Sequence, residues 1–261
     1  MAGSAKRLMS EDEVDRLAEE EVLADARDVV AGLDLRLQQV RTGDLDRAEA
    51  ARLLLLDASS LRLKARAVTL AALGPLTHRL EDYLAGLARL ENSHVGDLQA
   101  FADRIGAVLD GDAVAPAEIA SVVRDLPAKR TFEVSDVTIS NIEVTLVMPQ
   151  RSAARVVERE LAACGYRVST VLDPFEALEL ILETKPDMVI TAVVMPRLTG
   201  VDLACALAAM PVTRDIPIAV LTSLEPNHPD LAALPIGAGL IRRGPRFGDD
   251  LAHVLQRFAI T

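Results

Sequence analysis

The sequence has little of the residue types that build most catalytic and metal-binding sites. It has no tryptophan, only 3% aromatic residues, four histidines and two cysteines among 261 residues. Cys164 and Cys205 both lie within apolar helical patterns, and their spacing matches neither a metal-ligand motif nor a CxxC motif. We therefore expect both thiols to lie in or near a core, and we expect no bound metal ion or cofactor.

Long apolar runs and a basic face are also missing. No stretch approaches the ~18 continuous apolar residues of a membrane span. The residues after Lys6 and Arg7 become acidic at Glu11 rather than apolar, which argues against a signal peptide. The net charge of −11 argues against nucleic acid or an anionic membrane as the main partner, since both require a basic face. These absences predict a cytoplasmic protein that binds neither.

What the sequence does contain is the composition of a folded protein, with 50% hydrophobic and 26% charged residues in a chain long enough for two domains. Leucine-rich patterns with helical spacing predict helices over 10–42, 44–73, 76–92, 95–109 and 116–124. Ser10 and Glu13 form a capping-box pattern, Gly32 offers a break in the first helix, and Asp44 can cap the second. We predict an antiparallel helical bundle over 1–125.

Two segments of this half resemble the histidine phosphotransfer domain. They are residues 58–67, ASSLRLKARA, and residues 76–84, LTHRLEDYL. That family carries a phosphoryl group on an exposed histidine of one bundle helix, with a lysine three residues later, and the resemblance covers roughly 10–125. His94 falls between two predicted helices, where we expect it to cap a helix or face solvent.

Neither register of this resemblance supplies the phosphorylated histidine. Alignment on Lys64 places Leu61 at that position, whereas alignment on His78 places Ser59 there and Arg62 in the place of the lysine. His78 itself matches a second histidine of the family that is not phosphorylated, so we favour a packing or helix-opening role for it. The resemblance therefore implies a phosphotransfer site that has been vacated.

The second half changes character. Residues 126–141 are β-branched and polar without strict period two at Phe132, Val134, Val137 and Ile139, so we predict a linker with some extended structure. Over 142–261 the predicted strands are 143–148, 166–171, 187–193, 216–222 and 238–243, and the predicted helices are 151–164, 173–184, 199–209, 227–234 and 247–258. This alternation predicts a doubly wound (βα)5 parallel sheet of the flavodoxin-like type. The whole chain is thus predicted to be multidomain, α plus α/β.

Several motifs within 142–261 resemble the receiver domain of two-component response regulators. They lie at residues 144–147, 165–166, 173–178, 185–190, 194–196, 200–203, 216–223 and 236–238. In that family an acidic pair after the first strand and an aspartate after the third hold a divalent cation, and the aspartate accepts a phosphoryl group. A lysine after the fifth strand neutralises that group, and a hydroxyl after the fourth strand binds it.

None of the three carboxylates of that site is present here. The acidic pair falls on Met148 and Pro149, the acceptor position is Ala192, and the lysine is replaced by Gly244. Thr222 keeps the hydroxyl, and we expect a local backbone group to bond it. Because Mg²⁺ binds oxygen ligands, carboxylates above all, the resemblance implies a pseudo-receiver that holds neither metal nor phosphoryl.

Neighbouring side chains do not rebuild the site. Thr191 precedes the acceptor position by one and should point to the opposite face of the sheet. Gln150 and Asp173 could reach only the rim of the pocket, and Ile241 occupies the aromatic switch position.

Two degenerate phosphorelay-like domains predict a non-catalytic adaptor or regulator of bacterial two-component signalling. Such a protein would bind a histidine kinase, a phosphotransfer protein or a response regulator without taking phosphoryl. Two basic surfaces are candidates for this contact: the second helix, and the face of the fourth helix, fifth strand and last helix of the receiver-like domain. Their residues are Arg62 and Arg66 on the first, and Arg242, Arg243, Arg246 and Phe247 on the second.

Other functions stay open at this stage. An active phosphotransferase could use His78 or Ser59 as its acceptor. A small-ligand sensor could use the vacated pocket of Met148, Ala192 and Thr222. A homodimer through the helix predicted over 44–73 is a further alternative, because residues 53–56 are apolar on more than one face.

Overall fold

The computed structural model describes residues 10–129 and 141–260. It divides into two compact units, Met1–Pro116 and Ala117–Thr261. The extended segment predicted around Phe132 and Val137 lies outside the described residues. In the part of the chain that is described, no helix combines the length and the apolar character that crossing a membrane requires.

The first unit starts with one long helix. α1 spans Glu11–Thr42 without a break at Gly32, and the Ser10 hydroxyl accepts a hydrogen bond from the Glu13 backbone N–H. The helix ends where Gly43 adopts a φ of 85°, a left-handed conformation that glycine reaches without steric cost. Its buried residues begin only at Ala26.

Three further helices complete a bundle. They are α2 at Arg47–Ala65, α3 at Leu73–Leu84 and α4 at Asn92–Leu109. α1 packs against α2 and α4, and α3 packs against the same two helices. The ion pairs Arg36–Asp57 and Asp25–Lys64 show that α1 and α2 run antiparallel, since the residue numbers rise on one helix as they fall on the other. The predicted helical bundle is therefore confirmed for this part of the chain.

The ends of these helices differ from the prediction in several places. α3 spans Leu73–Leu84 rather than 76–92, and α4 begins at Asn92 rather than at residue 95. α2 is capped by Asp46 rather than Asp44, because the Asp46 carboxylate accepts the backbone N–H groups of Ala48 and Glu49. It stops at Ala65, so the helix predicted over 44–73 is shorter than expected. His94 takes the capping role that was one of its two expected roles, since its Nδ1 accepts the Glu91 backbone N–H at 2.9 Å.

The second unit is built on five parallel strands. They are β1 at Glu143–Val147, β2 at Arg167–Val171, β3 at Met188–Ala192, β4 at Ile218–Thr222 and β5 at Gly239–Arg242. Their order in the sheet is β2-β1-β3-β4-β5, and every residue of β1, β3 and β4 is buried. Burial on both faces requires covering layers, which α6 (Arg151–Ala163), α7 (Pro174–Thr184), α8 (Gly200–Ala209) and α9 (Phe247–Arg257) provide. The doubly wound (βα)5 prediction is confirmed.

The helix predicted over 227–234 is wrong. The structure has only a three-residue 3-10 turn there, Pro229–Leu231. Pro229 opens the turn and Pro235 follows Leu234, so only residues 229–234 remain between two prolines, too short a stretch for the predicted helix despite its apolar residues.

Cys164 was expected in or near a core but is exposed, because it lies at the C-terminal end of α6, where the helix leaves the sheet. Cys205 is half-buried, and its thiol donates to the Ala233 carbonyl at 3.2 Å.

A fifth helix, α5 at Ile119–Asp125, lies in the second unit and packs against α7, so the predicted bundle over 1–125 is too long at its C-terminal end. Arg124 holds it there, with Nη1 3.0 Å from the Asp187 carboxylate and Nη2 3.0 Å from the Lys185 carbonyl. Asp187 in turn accepts the Glu143 backbone N–H at the start of β1. The N-terminal edge of the sheet is thus tied to α5 by polar contacts between distant parts of the sequence.

The residues that follow α5 extend this polar network. Arg167 bonds the Glu143 carboxylate and also donates to the carbonyl oxygen of Leu126 at 2.7 Å. Lys129 forms an ion pair with Glu158 of α6 at 3.2 Å, and both side chains are almost buried. Residues 117–129 therefore belong structurally to the sheet domain.

One acidic residue of α7 titrates near neutral pH. Burial, with a smaller contribution from Glu179 one turn earlier, raises the pKa of Glu183 from 4.5 to about 7. The folded state therefore keeps this proton to a higher pH than the unfolded state. Its contribution to stability is complete below about pH 4.5 and is lost as the pH rises through 7.

Replacing Glu183 with glutamine is expected to stabilise the second unit at pH 8 by about 1 kcal/mol, allowing for solvent screening, and by much less at pH 5. Urea unfolding of the full chain at both pH values measures this difference. Glu179→Gln is the matched control, since Glu179 is exposed, and its effect should be smaller. An equal gain from Glu183→Gln at both pH values would contradict the assignment.

Candidate functional site

The carboxyl ends of three neighbouring strands meet at one edge of the sheet. β1 lies next to β3 and β3 next to β4, with Val147 paired to Thr191 and Ala192 paired to Leu221. This register brings Met148, Ala192 and Thr222 to the same edge. Their relative exposures are 1%, 2% and 4%, so the position is filled by side chains.

The only hydroxyl among these three residues has a local partner. Thr222 Oγ1 accepts the Leu224 backbone N–H at 2.9 Å, which is the local backbone bond expected from the sequence. The Thr222 carbonyl accepts the Arg243 backbone N–H at 2.9 Å, joining the chain after β5 to the end of β4. Thr191 is fully buried one residue before Ala192, and its hydroxyl contacts the sulfur of Met195 at 3.6 Å. These hydroxyls serve the local structure.

Asp173 stands at the rim of this edge and is also occupied. One carboxylate oxygen accepts the backbone N–H groups of Phe175 and Glu176, which caps α7, and the other pairs with Arg197. The Arg197 guanidinium lies 4.9 Å from the centre of the Phe175 ring, a cation–π contact. The pair joins the loops that follow β2 and β3, the two strands on either side of β1.

The remaining positions of the vacated site carry no charge. Gly244 is exposed with a φ of 108°, a conformation that a side chain would strain. Ile241 is fully buried, and Pro149 is half-buried. Gln150 is exposed and gives α6 no side-chain cap.

The donor set at this edge does not fit a hard cation. Mg²⁺ needs several oxygen ligands, and the side chains present supply a thioether, a methyl group and one bonded hydroxyl. Within residues 10–129 and 141–260 there is no group of three or more histidine, cysteine or acidic side chains placed to hold a metal ion. We therefore derive no chemistry through a metal here.

The two registers of the vacated phosphotransfer site have different surroundings. Leu61 is fully buried in the bundle core, so the register anchored on Lys64 leads to an interior position. Ser59 is half-buried, and its hydroxyl donates to one oxygen of Glu81 at 2.8 Å while Arg62 binds the other at 2.7 Å. Lys64 pairs with Asp25 of α1 at 3.0 Å. Neither register presents an exposed nucleophile.

His78 lies inside α3 with 5% of its surface exposed. Burial holds the pKa of His78 well below its ordinary value, and the nearby charges of Arg62, Arg79 and Arg66 lower it further. The imidazole is therefore neutral and packed within the bundle. This position supports the packing role expected for it and offers no access for a phosphoryl donor.

The predicted partner surfaces are partly used within the chain. Arg62 pairs with Glu81, and Arg242 binds both oxygens of Asp250 at 2.8 Å, which lowers the pKa of that carboxyl. The second face also lacks the helix predicted over 227–234. Arg66, Arg243 and Arg246 are exposed and Phe247 is half-buried, so their role in partner binding stays a prediction.

The outer side of α2 remains apolar. Leu56 and Leu63, seven residues apart, are exposed on the same side of the helix, while Leu54 is fully buried. A homodimer through this helix also stays a prediction.

Sequence reasoning missed the contact between Arg197 and Asp173. Arg197 has a φ of 69°, which is uncommon for a residue with a side chain, and it follows Pro196 without any local pattern that would indicate this conformation. It also missed how closely α8 approaches β3 at Gly200, although the glycine itself was part of a motif.

Comparison with known proteins finds a matching family for part of the second unit. Residues 144–240 match the model of the response regulator receiver domain. The transcriptional regulatory protein PrrA of Mycobacterium leprae is 35% identical over 103 residues, which cover 40% of this chain and 43% of that protein. The response regulator MprA of Mycobacterium sp. (strain KMS) is 34% identical over 97 residues, 37% of this chain and 41% of that protein. The chain thus spans about two fifths of the length of these relatives.

Among solved structures, the signal receiver domain of a signal transduction histidine kinase from Syntrophus aciditrophicus is 26% identical, with a TM-score of 0.41, over 45% of this chain and 89% of that one. The chemotaxis response regulator CheY4 of Vibrio cholerae is 27% identical, with a TM-score of 0.40, and the match covers 45% of this chain and 98% of that chain. With the family match and the (βα)5 sheet both in place, the second unit contains a response regulator receiver domain at residues 144–240.

Proposed function

We propose that this protein is a non-catalytic regulator of two-component signalling. It binds a histidine kinase, a phosphotransfer protein or a response regulator and does not accept a phosphoryl group. The observation that carries the proposal is the edge of the receiver sheet, where Met148, Pro149 and Ala192 stand in place of the carboxylates and Gly244 in place of the lysine.

The arrangement around that edge supports the same conclusion. Phosphoryl transfer depends on charges that neutralise the transferred group, and the remaining polar groups are already engaged. Thr222 bonds Leu224, and Asp173 bonds Arg197 and the first turn of α7. In the bundle, His78 is buried and Ser59 is bonded to Glu81, which disfavours a phosphotransferase that uses either residue.

The loops at the same edge supply a surface for a partner. Val194 is 77% exposed, and Phe175, half exposed, lies against Arg197. A non-glycine residue with positive φ is more often found where a loop has a functional role. Apolar side chains beside an arginine favour protein recognition, since aromatic residues and arginine are enriched at interfaces.

Incubation of the full chain with acetyl phosphate and Mg²⁺ is expected to leave it unphosphorylated, and the variant Ala192→Asp is expected to behave in the same way. A single aspartate still lacks the acidic pair and the lysine, because Met148, Pro149 and Gly244 remain. Intact-mass spectrometry measures bound phosphoryl. A receiver domain with all its carboxylates, treated in parallel, shows that the donor is active.

Ala192→Asn is the matched control, since it places a similar polar group in the same buried position without an acceptor. Circular dichroism of both variants shows whether the domain is folded. Phosphoryl on the wild-type chain, or a beryllofluoride-dependent spectral change in Ala192→Asp, would contradict the proposal. Affinity capture with the unphosphorylated chain should then recover a kinase, phosphotransfer protein or response regulator, and recovery of none of these would count against the adaptor role.

A further inference from the structure

A cleft of about 510 Å³ opens in the second unit beside the vacated site. It lies between α6 and the chain that leads from β5 into α9. Val156 and Val157 of α6 form one wall and Phe247 of α9 the other, and Met148 contributes to the lining. It shares Met148 and Gly244 with the vacated site, whereas Ala192 and Thr222 do not line it, so the cleft overlaps that site only in part.

Two glycines keep this cleft open. Gly248 lies in the first turn of α9, and a Cβ built on it would meet no atom within 4 Å. Gly244 stands where the family has a lysine, and its own missing side chain leaves the adjoining space empty. Val156 is 55% exposed beside this space, although it is apolar. Water therefore contacts an apolar wall that a ligand could cover.

The charges around the cleft select the kind of ligand. Arg243 lines the cleft, and its exposed guanidinium has no ion pair with any residue that the structure describes. Its backbone is fixed by the bond to the Thr222 carbonyl, whereas the adjacent Arg242 is already committed to Asp250. Glu160, the acidic residue of the lining, lies on α6, on the other wall from Arg243, and repels an anion placed beside α6, so a negative head group is favoured only beside Arg243. One cation above an apolar wall fits a ligand with a single anionic head and an apolar chain.

We propose that this cleft binds a small amphiphilic monoanion of the medium-chain carboxylate class. The carboxylate bonds Arg243, and the hydrocarbon chain lies between Val156 and Phe247, where it covers apolar surface. The volume is within the range of small-molecule sites, roughly 300–1,000 Å³. This site goes beyond the proposed regulatory function and does not depend on it.

The test uses the full-length chain, with decanoate as the probe. Amide NMR is expected to show saturable shifts confined to residues 153–160 and 243–248. Decyltrimethylammonium has a similar chain and the opposite charge, and it is expected to bind at least about ten-fold more weakly. Decanol, with no charge, separates the contribution of the chain from that of the head group.

Two variants assign the binding to the cleft. Gly248→Leu places a side chain in the open space without strain and should weaken decanoate binding by about ten-fold or more. Arg243→Gln should weaken decanoate binding by about ten-fold and leave decanol binding unchanged. Arg246→Gln is the matched control, since Arg246 is an exposed arginine close by that does not line the cleft.

Several outcomes would overturn the proposal. They are the absence of saturable shifts below the micelle-forming concentration of decanoate, equal binding of the cationic probe, and unchanged decanoate binding in Arg243→Gln. If Gly248→Leu does not fold, Arg243→Gln and its control still decide the question. Shifts at the cleft that appear only with a partner protein would identify a protein groove instead, and the ligand assignment would then be wrong.

Discussion

Replacing Arg124 and Lys129 together with alanine is expected to destabilise the second unit by roughly 3–5 kcal/mol, although neither residue lies in the sheet or in its four covering helices. Most of this loss comes from Glu158, whose buried carboxylate would lose its ion-pair partner. The rest comes from Asp187, which would lose the paired bonds of Arg124. A chain that begins at Asn141 should show the same loss or fail to fold.

Urea unfolding of the full-length variants measures this effect, because the second unit should give its own transition. Arg214→Ala is the matched control, since Arg214 forms only a 3.9 Å surface contact with Asp215 and both side chains are largely exposed. We expect a change within about 0.5 kcal/mol for that control. A loss below about 1 kcal/mol in the double variant would mean that residues 117–129 are an ordinary linker.

Gly200→Ala is expected to cost about 3 kcal/mol or more, at the upper end of what overpacking usually costs. A Cβ on Gly200 would lie 2.1 Å from the carbonyl oxygen of Ala192 and 2.9 Å from its carbonyl carbon. Both atoms belong to the backbone of β3, so no side chain can move aside to make room. Either α8 shifts away from the sheet or the hydrogen bond from Gly200 N–H to the Val193 carbonyl, 2.9 Å long, is lost.

Gly248→Ala is the matched control for this substitution. It also adds one methyl group at the start of a helix of the same unit, but the methyl would meet open space. Because alanine favours the helix more than glycine does, the control should stabilise by about 0.5–1 kcal/mol. Thermal unfolding of both variants measures the difference, and equal stability of the two would show that the loop after β3 can relax around the added methyl.

The parts of the fold that could be predicted are those fixed by local patterns. The five strand segments were placed within two residues at each end, because buried parallel strands read as short apolar runs between turn residues. The positions of Met148, Ala192 and Thr222 at one edge follow from the ends of those strands. The predicted helix over 227–234 does not form, because Pro229 lies inside this apolar segment and Pro235 ends it.

The contacts that could not be predicted join residues far apart in the sequence. The pairing of Arg124 with Asp187 spans 63 positions, and nothing near either residue indicates the other. The same holds for Arg197 and Asp173, whose contact depends on a left-handed backbone conformation after a proline. Local propensity specifies where elements begin, whereas the pairing of Arg124 with Asp187 joins α5 to the sheet and that of Arg197 with Asp173 joins two loops at its edge.

The two ends of α1 are packed to different extents, so its N-terminal turns unwind more easily than its C-terminal turns. Because buried residues begin at Ala26, the preceding turns gain little from the core. Their described ties to α2's side of the bundle are the ion pair of Asp25 with Lys64 and the carboxylate of Glu19, which accepts the N–H and the hydroxyl of Thr69. These turns persist because a helix already nucleated elongates at little cost per residue. Winding and unwinding of this segment is thus a local equilibrium, and whatever shifts it leaves the bundle core intact.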